Sequence, residues 1–226
     1  MKIQKLASIA HKYLALVVGI QIFIWVATGL FFAIFQIENI RSEHLVKDPA
    51  PSLFVAGDFA GLSKVLAQNP TLEKIKLDRA EAAPIIIGEI KKVKYGFDGK
   101  SGQKLAPLSD SAAARIATNI LKTAQGIEKT ELVTKESVEY RADLPAWKVT
   151  FEDGLSLYVA QNTRQVTARR SDLWRIYDFL WSLHIMDYKG HEDFNHPLLV
   201  IAGLLAMLTA IAGLVLLPFR VKFRRR

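Results

Sequence analysis

Two uninterrupted apolar runs bracket the chain. Residues 13–35 and 197–219 contain no Asp, Glu, Lys or Arg, and at ~1.5 Å per helical residue each is long enough to cross a hydrocarbon core of roughly 30 Å. Both are predicted to be transmembrane helices. The first run exceeds the ~7–15 apolar residues of a signal-peptide core. Phe35, Gln36, Ile37 and Glu38 follow it without a clean small-x-small cleavage site, so it reads as an uncleaved anchor. Between the runs the pattern changes to short segments that repeat in order. Asp58 to Gln68 has helical spacing, Leu72 to Leu77 and Pro84 to Ile90 read as strands, and Lys92 to Leu105 reads as a strand, a tight turn at residues 98–102 and a return strand. Ser109 to Ala124 is a second helix with Ser109, Asp110 or Ser111 as N-cap. Ile127 to Tyr140 alternates weakly, Trp147 to Phe151 pairs with Leu155 to Ala160 across Glu152-Asp153-Gly154, and a turn at Gln161 to Arg164 leads into Gln165 to Ala168. Ser101-Gly102-Gln103 and Thr163-Arg164-Gln165 occupy equivalent places in the two units.

The expected fold is therefore a membrane protein of α+β class. Two transmembrane helices flank an extracytoplasmic domain of two degenerate helix-plus-antiparallel-sheet units, about 58–107 and 109–168, each with its helix on one sheet face. The expected division is a basic flank over 1–12, helix over 13–35, domain over 36–171, aromatic interfacial helix and link over 172–196, helix over 197–219 and basic tail over 220–226. Residues 172–185 are helical in spacing and carry Trp174, Tyr177, Phe179 and Trp181, a density usual at lipid headgroup level. Ala15/Gly19, Gly29/Ala33 and Ala202/Ala206/Ala210 recur at four-residue intervals, supported by Gly203 and Gly213. Small residues at that spacing let another helix approach closely.

The net charge of +8 changes meaning once it is located. Lys2, Lys5 and Lys12 precede the first run, and Arg220, Lys222, Arg224, Arg225 and Arg226 follow the second; the remaining Lys and Arg equal the 22 Asp and Glu. The excess is juxtamembrane at both ends, which places both termini in the cytoplasm and the intervening domain outside. Nucleic acid is not an expected partner; the lipid bilayer is. The absence of cysteine excludes disulfides, thiolate metal sites, iron–sulfur clusters and covalent haem attachment. Gly99-Lys100-Ser101 resembles the end of a phosphate-binding loop, but Lys94 stands where that loop needs its first glycine; a hairpin turn is the better reading.

Four of the five histidines sit beside an apolar run: His11 at the first, and His184, His191 and His196 before the second. Ionisable residues at membrane depth are functional candidates, although interfacial ones also snorkel into water. His184, flanked by Leu183 and Ile185 and in phase with Trp174, Tyr177 and Trp181, has the apolar setting in which a neutral imidazole ligates haem iron. His191 and His196 lie in a polar link and stand behind the other two. A competing reading groups His184, Asp187, His191, Glu192, Asp193 and His196 as a hard-metal cluster, without any His-x-x-x-His helical pair. No nucleophile elbow or His-Glu-x-x-His motif is present, and no residue is assigned a catalytic role.

The opening His11-Lys12-Tyr13-Leu14-Ala15-Leu16, the repeated units with Trp147-Lys148-Val149-Thr150-Phe151, and Leu183-His184 before the last span resemble the PepSY-associated transmembrane family, in a short two-span form. The resemblance covers essentially the whole chain. The second unit has Ala160 and Arg164 where the usual turn has Asp and Gly. The family includes bacterial inner-membrane reductases of siderophore iron, in which span-edge histidines hold b-type haems and the PepSY portion faces the periplasm. By that resemblance His11 and His184 are expected to bind haem b. The chain is then expected to act as a ferric-reductase-like oxidoreductase that moves electrons from an unidentified donor to a periplasmic ferric acceptor. The other expectation is a non-catalytic, membrane-anchored PepSY module that binds or regulates a partner protein. Across one span His11 and His184 should stand on the order of 30 Å apart, too far to grip one iron, so two axial histidines per haem require a homodimer.

Overall fold

The computed structural model describes residues 2–48 and 53–220. The basic residues after Arg220 lie outside them. The chain divides into two compact units, one of residues 1–36 and 176–226 and the other of residues 37–175.

The first unit is built on two long helices. α1 (Lys2–Ile34) and α6 (Pro197–Arg220) are both long and apolar enough to cross a membrane, over Gln4–Ile34 and Pro197–Phe219. α1 continues N-terminal of Tyr13 through Lys12 and His11, so His11 lies inside the helix rather than on a flank. The two helices pack together over their length. The contact face is read from burial: Val18 and Thr28 on α1, and Ala202 and Thr209 on α6, are buried while the residue before each, Val17, Ala27, Ile201 and Leu208, is exposed. The small residues therefore divide into two groups. Ala202 is closed within the pair, whereas a Cβ at Gly19, Gly29 or Gly203 would meet nothing within 4 Å.

The second unit begins with α2 (Ile37–Ile40) and a 3-10 turn at Glu43–Leu45. α3 (Leu62–Gln68) then precedes an antiparallel sheet of β1 (Ile75–Ala80), β2 (Ala83–Ile90) and β3 (Val93–Asp98) in the order β1-β2-β3. α3 lays Val65 against Ile86 and Phe97 of this sheet. The predicted helix from Asp58 is shortened to Leu62 because Gly61 is pressed onto the turn after β3. A Cβ on Gly61 would stand 2.2 Å from the Gly102 nitrogen, and Gly61 N–H donates to the Gly99 carbonyl at 2.9 Å. Only Gly permits that backbone approach. The expected return strand reduces to one bridge, Phe97 to Lys104.

The second half repeats the plan. α4 (Asp110–Ile120) is capped by Ser109, whose side chain accepts the Ala112 N–H. It covers a four-stranded antiparallel sheet of β4 (Ile127–Val133), β5 (Ala146–Phe151), β6 (Ser156–Ala160) and β7 (Val166–Arg170), ordered β4-β5-β6-β7. Ala113, Ile116 and Ala117 of α4 meet Val149, Phe151, Leu157 and Val159 in the largest core cluster. Each of these large aliphatic or aromatic side chains contributes about 1.5–3 kcal/mol by leaving water. The opposite sheet face holds a polar network: Glu139 takes Lys148 at 2.9 Å and Arg175 at 2.8 Å, beside stacked rings of Tyr140 and Tyr158 with centroids 4.3 Å apart. Burial works to raise the Glu139 pKa, but hydrogen bonds from Lys148 and Arg175 outweigh it and hold the carboxyl below its ordinary range. α5 (Asp172–Ile185) follows β7.

Candidate functional site

His11 is fixed by the antiparallel pairing of α1 with α6. Its Nδ1 lies 2.9 Å from the Thr209 carbonyl oxygen. A carbonyl only accepts, so Nδ1 carries a proton, and the lone pair of the neutral ring then falls on Nε2. The ring has room because residue 213 is Gly: a Cβ there would stand 3.1 Å from Cε1 and 3.3 Å from Nδ1.

His184, near the end of α5, is held by three side chains of α1. Thr28 Oγ1 lies 2.7 Å from His184 Nδ1, Trp25 Nε1–H donates to the His184 carbonyl at 2.7 Å, and Gln21 Nε2–H donates to the Leu183 carbonyl at 3.2 Å. The Thr28 hydroxyl also back-bonds to the Ile24 carbonyl at 2.7 Å. That carbonyl takes the hydroxyl proton, so His184 Nδ1–H donates to Thr28 and Nε2 is again the lone-pair nitrogen. Tyr177, Trp181 and His184 share one face of α5, four and three residues apart. Trp181 lies parallel to the imidazole at 6.3 Å and Phe32 meets it edge-on at 5.5 Å. Burial pushes the imidazole pKa down and favours the neutral form.

In both cases Nδ1 is engaged by a hydrogen-bond acceptor and, among the described residues, Nε2 has no partner. This donor set, a neutral imidazole oriented through its other nitrogen, is the form in which histidine binds iron. The residues therefore fit haem ligation. Thr28 on α1 lies 156 residues in sequence from His184, and Thr209 on α6 lies 198 residues from His11. Along α1, His11 and Thr28 are separated by roughly 25 Å of helix rise, so the two imidazoles occupy different levels of the unit.

His191 and His196 join neither. His191 Nδ1 is 2.6 Å from the Asp178 carboxylate, and His196 Nδ1 accepts the Leu198 N–H at 3.3 Å at the start of α6. Asp187 is enclosed by the backbone: the N–H groups of Gly190, Glu192, Asp193 and Lys189 hold its carboxyl well below the usual carboxylate range. Its oxygens are thus spent on the link between α5 and α6. Among the described residues no three His, Asp or Glu side chains gather to hold a metal ion. The hard-metal grouping of His184, Asp187, His191, Glu192, Asp193 and His196 is not assembled.

Sequence reasoning missed Thr28, Trp25, Gln21 and Asp178. For the three on α1 the available signal was the polar minority of that helix, which takes its meaning only from the helix that packs beside it.

Comparison with curated proteins and with solved structures gave no match. The two membrane-length helices and the paired helix-and-sheet units between them in sequence agree with a family model described as the PepSY-associated TM region, which matches residues 8–226. The chain belongs to this family of membrane proteins.

Proposed function

We propose that the chain carries electrons across a bacterial inner membrane by means of b-type haems held at His11 and His184, for delivery to a periplasmic ferric acceptor such as a ferric siderophore. The observation that carries this reading is the shared state of the two imidazoles: Nδ1 is engaged and Nε2 is free in each, at two levels of one helical unit. Bound haem would supply one-electron chemistry. The chain's own residues orient the ligands and exclude water. Thr28 and the Thr209 carbonyl fix the tautomers, while Phe32 and Trp181 flank His184 with apolar surface and Tyr177 stacks on Trp181.

One copy offers one free imidazole nitrogen at each level, so a homodimer supplies the second axial ligand, His11 with its copy and His184 with its copy. The open positions at Gly19, Gly29 and Gly203 support association along the helices. Basic residues flanking both apolar runs support cytoplasmic termini and a periplasmic second unit. The test is visible absorption of the purified full chain, oxidised and dithionite-reduced, after expression with ample haem supply. A reduced b-type spectrum is the predicted result. A colourless protein would leave the membrane-anchored binding module as the function.

A further inference from the structure

The two halves of the second unit carry the same turn. In the first, Gly102 N–H donates to the Asp98 carbonyl at 2.9 Å and Asp98 N–H donates to the Gln103 carbonyl at 2.8 Å. In the second, Arg164 N–H donates to the Ala160 carbonyl at 2.9 Å and Ala160 N–H donates to the Gln165 carbonyl at 2.8 Å. The left-handed residue is Gly102 at φ 66° in one and Arg164 at φ 60° in the other. This conformation suits glycine and disfavours a side chain, yet the second turn has the largest cation there.

Arg164 lines a cleft of about 920 Å³ between β1, α4 and the start of β7. Ile116 and Ile120 of α4, Ala80 and Val166 form apolar walls. The other charged side chains of the cleft are neutralised: Lys76 meets Asp78 at 2.6 Å, Arg79 meets Asp58 at 2.7 Å, and Glu81 meets Arg115 at 2.7 Å. Arg164 is different. Among the described residues its guanidinium has no hydrogen-bond or ion-pair partner, and its Nε is buried without one. A desolvated guanidinium nitrogen without an acceptor is costly, and a planar fork of donors matches a carboxylate.

We propose that this cleft is a binding site for a small carboxylate with an apolar body, in which Arg164 receives the carboxylate and the α4 and β7 side chains receive the body. The volume lies in the range of small-molecule sites. The charge arrangement selects the class: one unpaired cation beside an apolar wall favours a monoanion carrying hydrophobic surface over inorganic phosphate or a cation. The strained backbone then has a use, since it directs the one unneutralised charge to the cleft at some expense of stability.

Calorimetric titration of the purified full chain with 2-naphthoate, its neutral amide 2-naphthamide and inorganic phosphate, each against an empty-micelle blank, tests this. Saturable binding of 2-naphthoate at least about tenfold tighter than the amide or phosphate is expected, a ratio that a charge-assisted bond supplies. Arg164→Gln and Arg164→Gly should each weaken it about tenfold or more. The glycine variant should also keep or raise the melting temperature, because the left-handed φ no longer carries a side chain. Absence of saturable 2-naphthoate binding, equal binding of the amide or of phosphate, or unchanged affinity in the folded variants overturns the proposal.

Discussion

The imidazole of His11 occupies the space that a side chain at position 213 would fill, with Cε1 only 3.1 Å from where the Cβ would stand. The glycine is thus required by a histidine on the neighbouring helix rather than by its own backbone. Gly213→Val should push the ring off the Thr209 carbonyl. On the haem reading it should remove about half of the bound haem, by loss of the His11 ligand alone. Haem-to-protein ratio in the purified variant measures this.

Thr28→Val keeps the shape of the side chain and removes the acceptor of His184 Nδ1–H. The unpaired group should cost about 1–3 kcal/mol, read as a lowered melting temperature. Freed rotation of the ring should weaken haem retention at His184 by roughly ten- to a hundredfold, measured by competition with apomyoglobin.

The spans and the two repeated units were legible in the sequence because length, alternation and local turn chemistry carry them. Ser109 caps α4 as its residue type suggests, and residues 152–154 make the β5–β6 turn. The β1–β2 and β2–β3 turns were harder to read. They are made by Glu81-Ala82 and Lys91-Lys92, all four at positive φ without Gly or Asn, so no turn signature marks them. The histidines were visible as candidates, but their partners were not. Thr209 and Gly213 acquire their roles from the register of α6 against α1, which composition does not encode. Arg164 was legible as a departure in a turn, and its cleft only as a consequence of tertiary packing.

Acid should unfold the second unit in part through Glu139. Its pKa is lower folded than the ordinary 4.5, so its contribution is fully present above the unfolded value and is lost as pH falls through the folded one. Glu139→Gln should destabilise the unit by about 2 kcal/mol at neutral pH, since Lys148 and Arg175 lose a half-buried partner. It should also flatten the fall in melting temperature below about pH 5. Thermal denaturation of both proteins between pH 3 and pH 7 checks the direction.

The proposed topology makes opposite forecasts for two reporter fusions. An exported phosphatase fused after Lys129 should be active, and the same enzyme after Arg226 should be inactive. Activity at Arg226 would contradict the cytoplasmic assignment of the C-terminus.

The account's central claim is that His11 and His184 ligate separate haems. Reduced-minus-oxidised spectra of the purified wild type, His11→Ala and His184→Ala test it most directly. Each substitution is predicted to remove about half of the b-type signal, nearly completely at its own site because a paired-copy haem loses both axial histidines at once. The two residual spectra should sum to that of the wild type. A wild type without haem, or haem unchanged in both variants, would contradict the assignment.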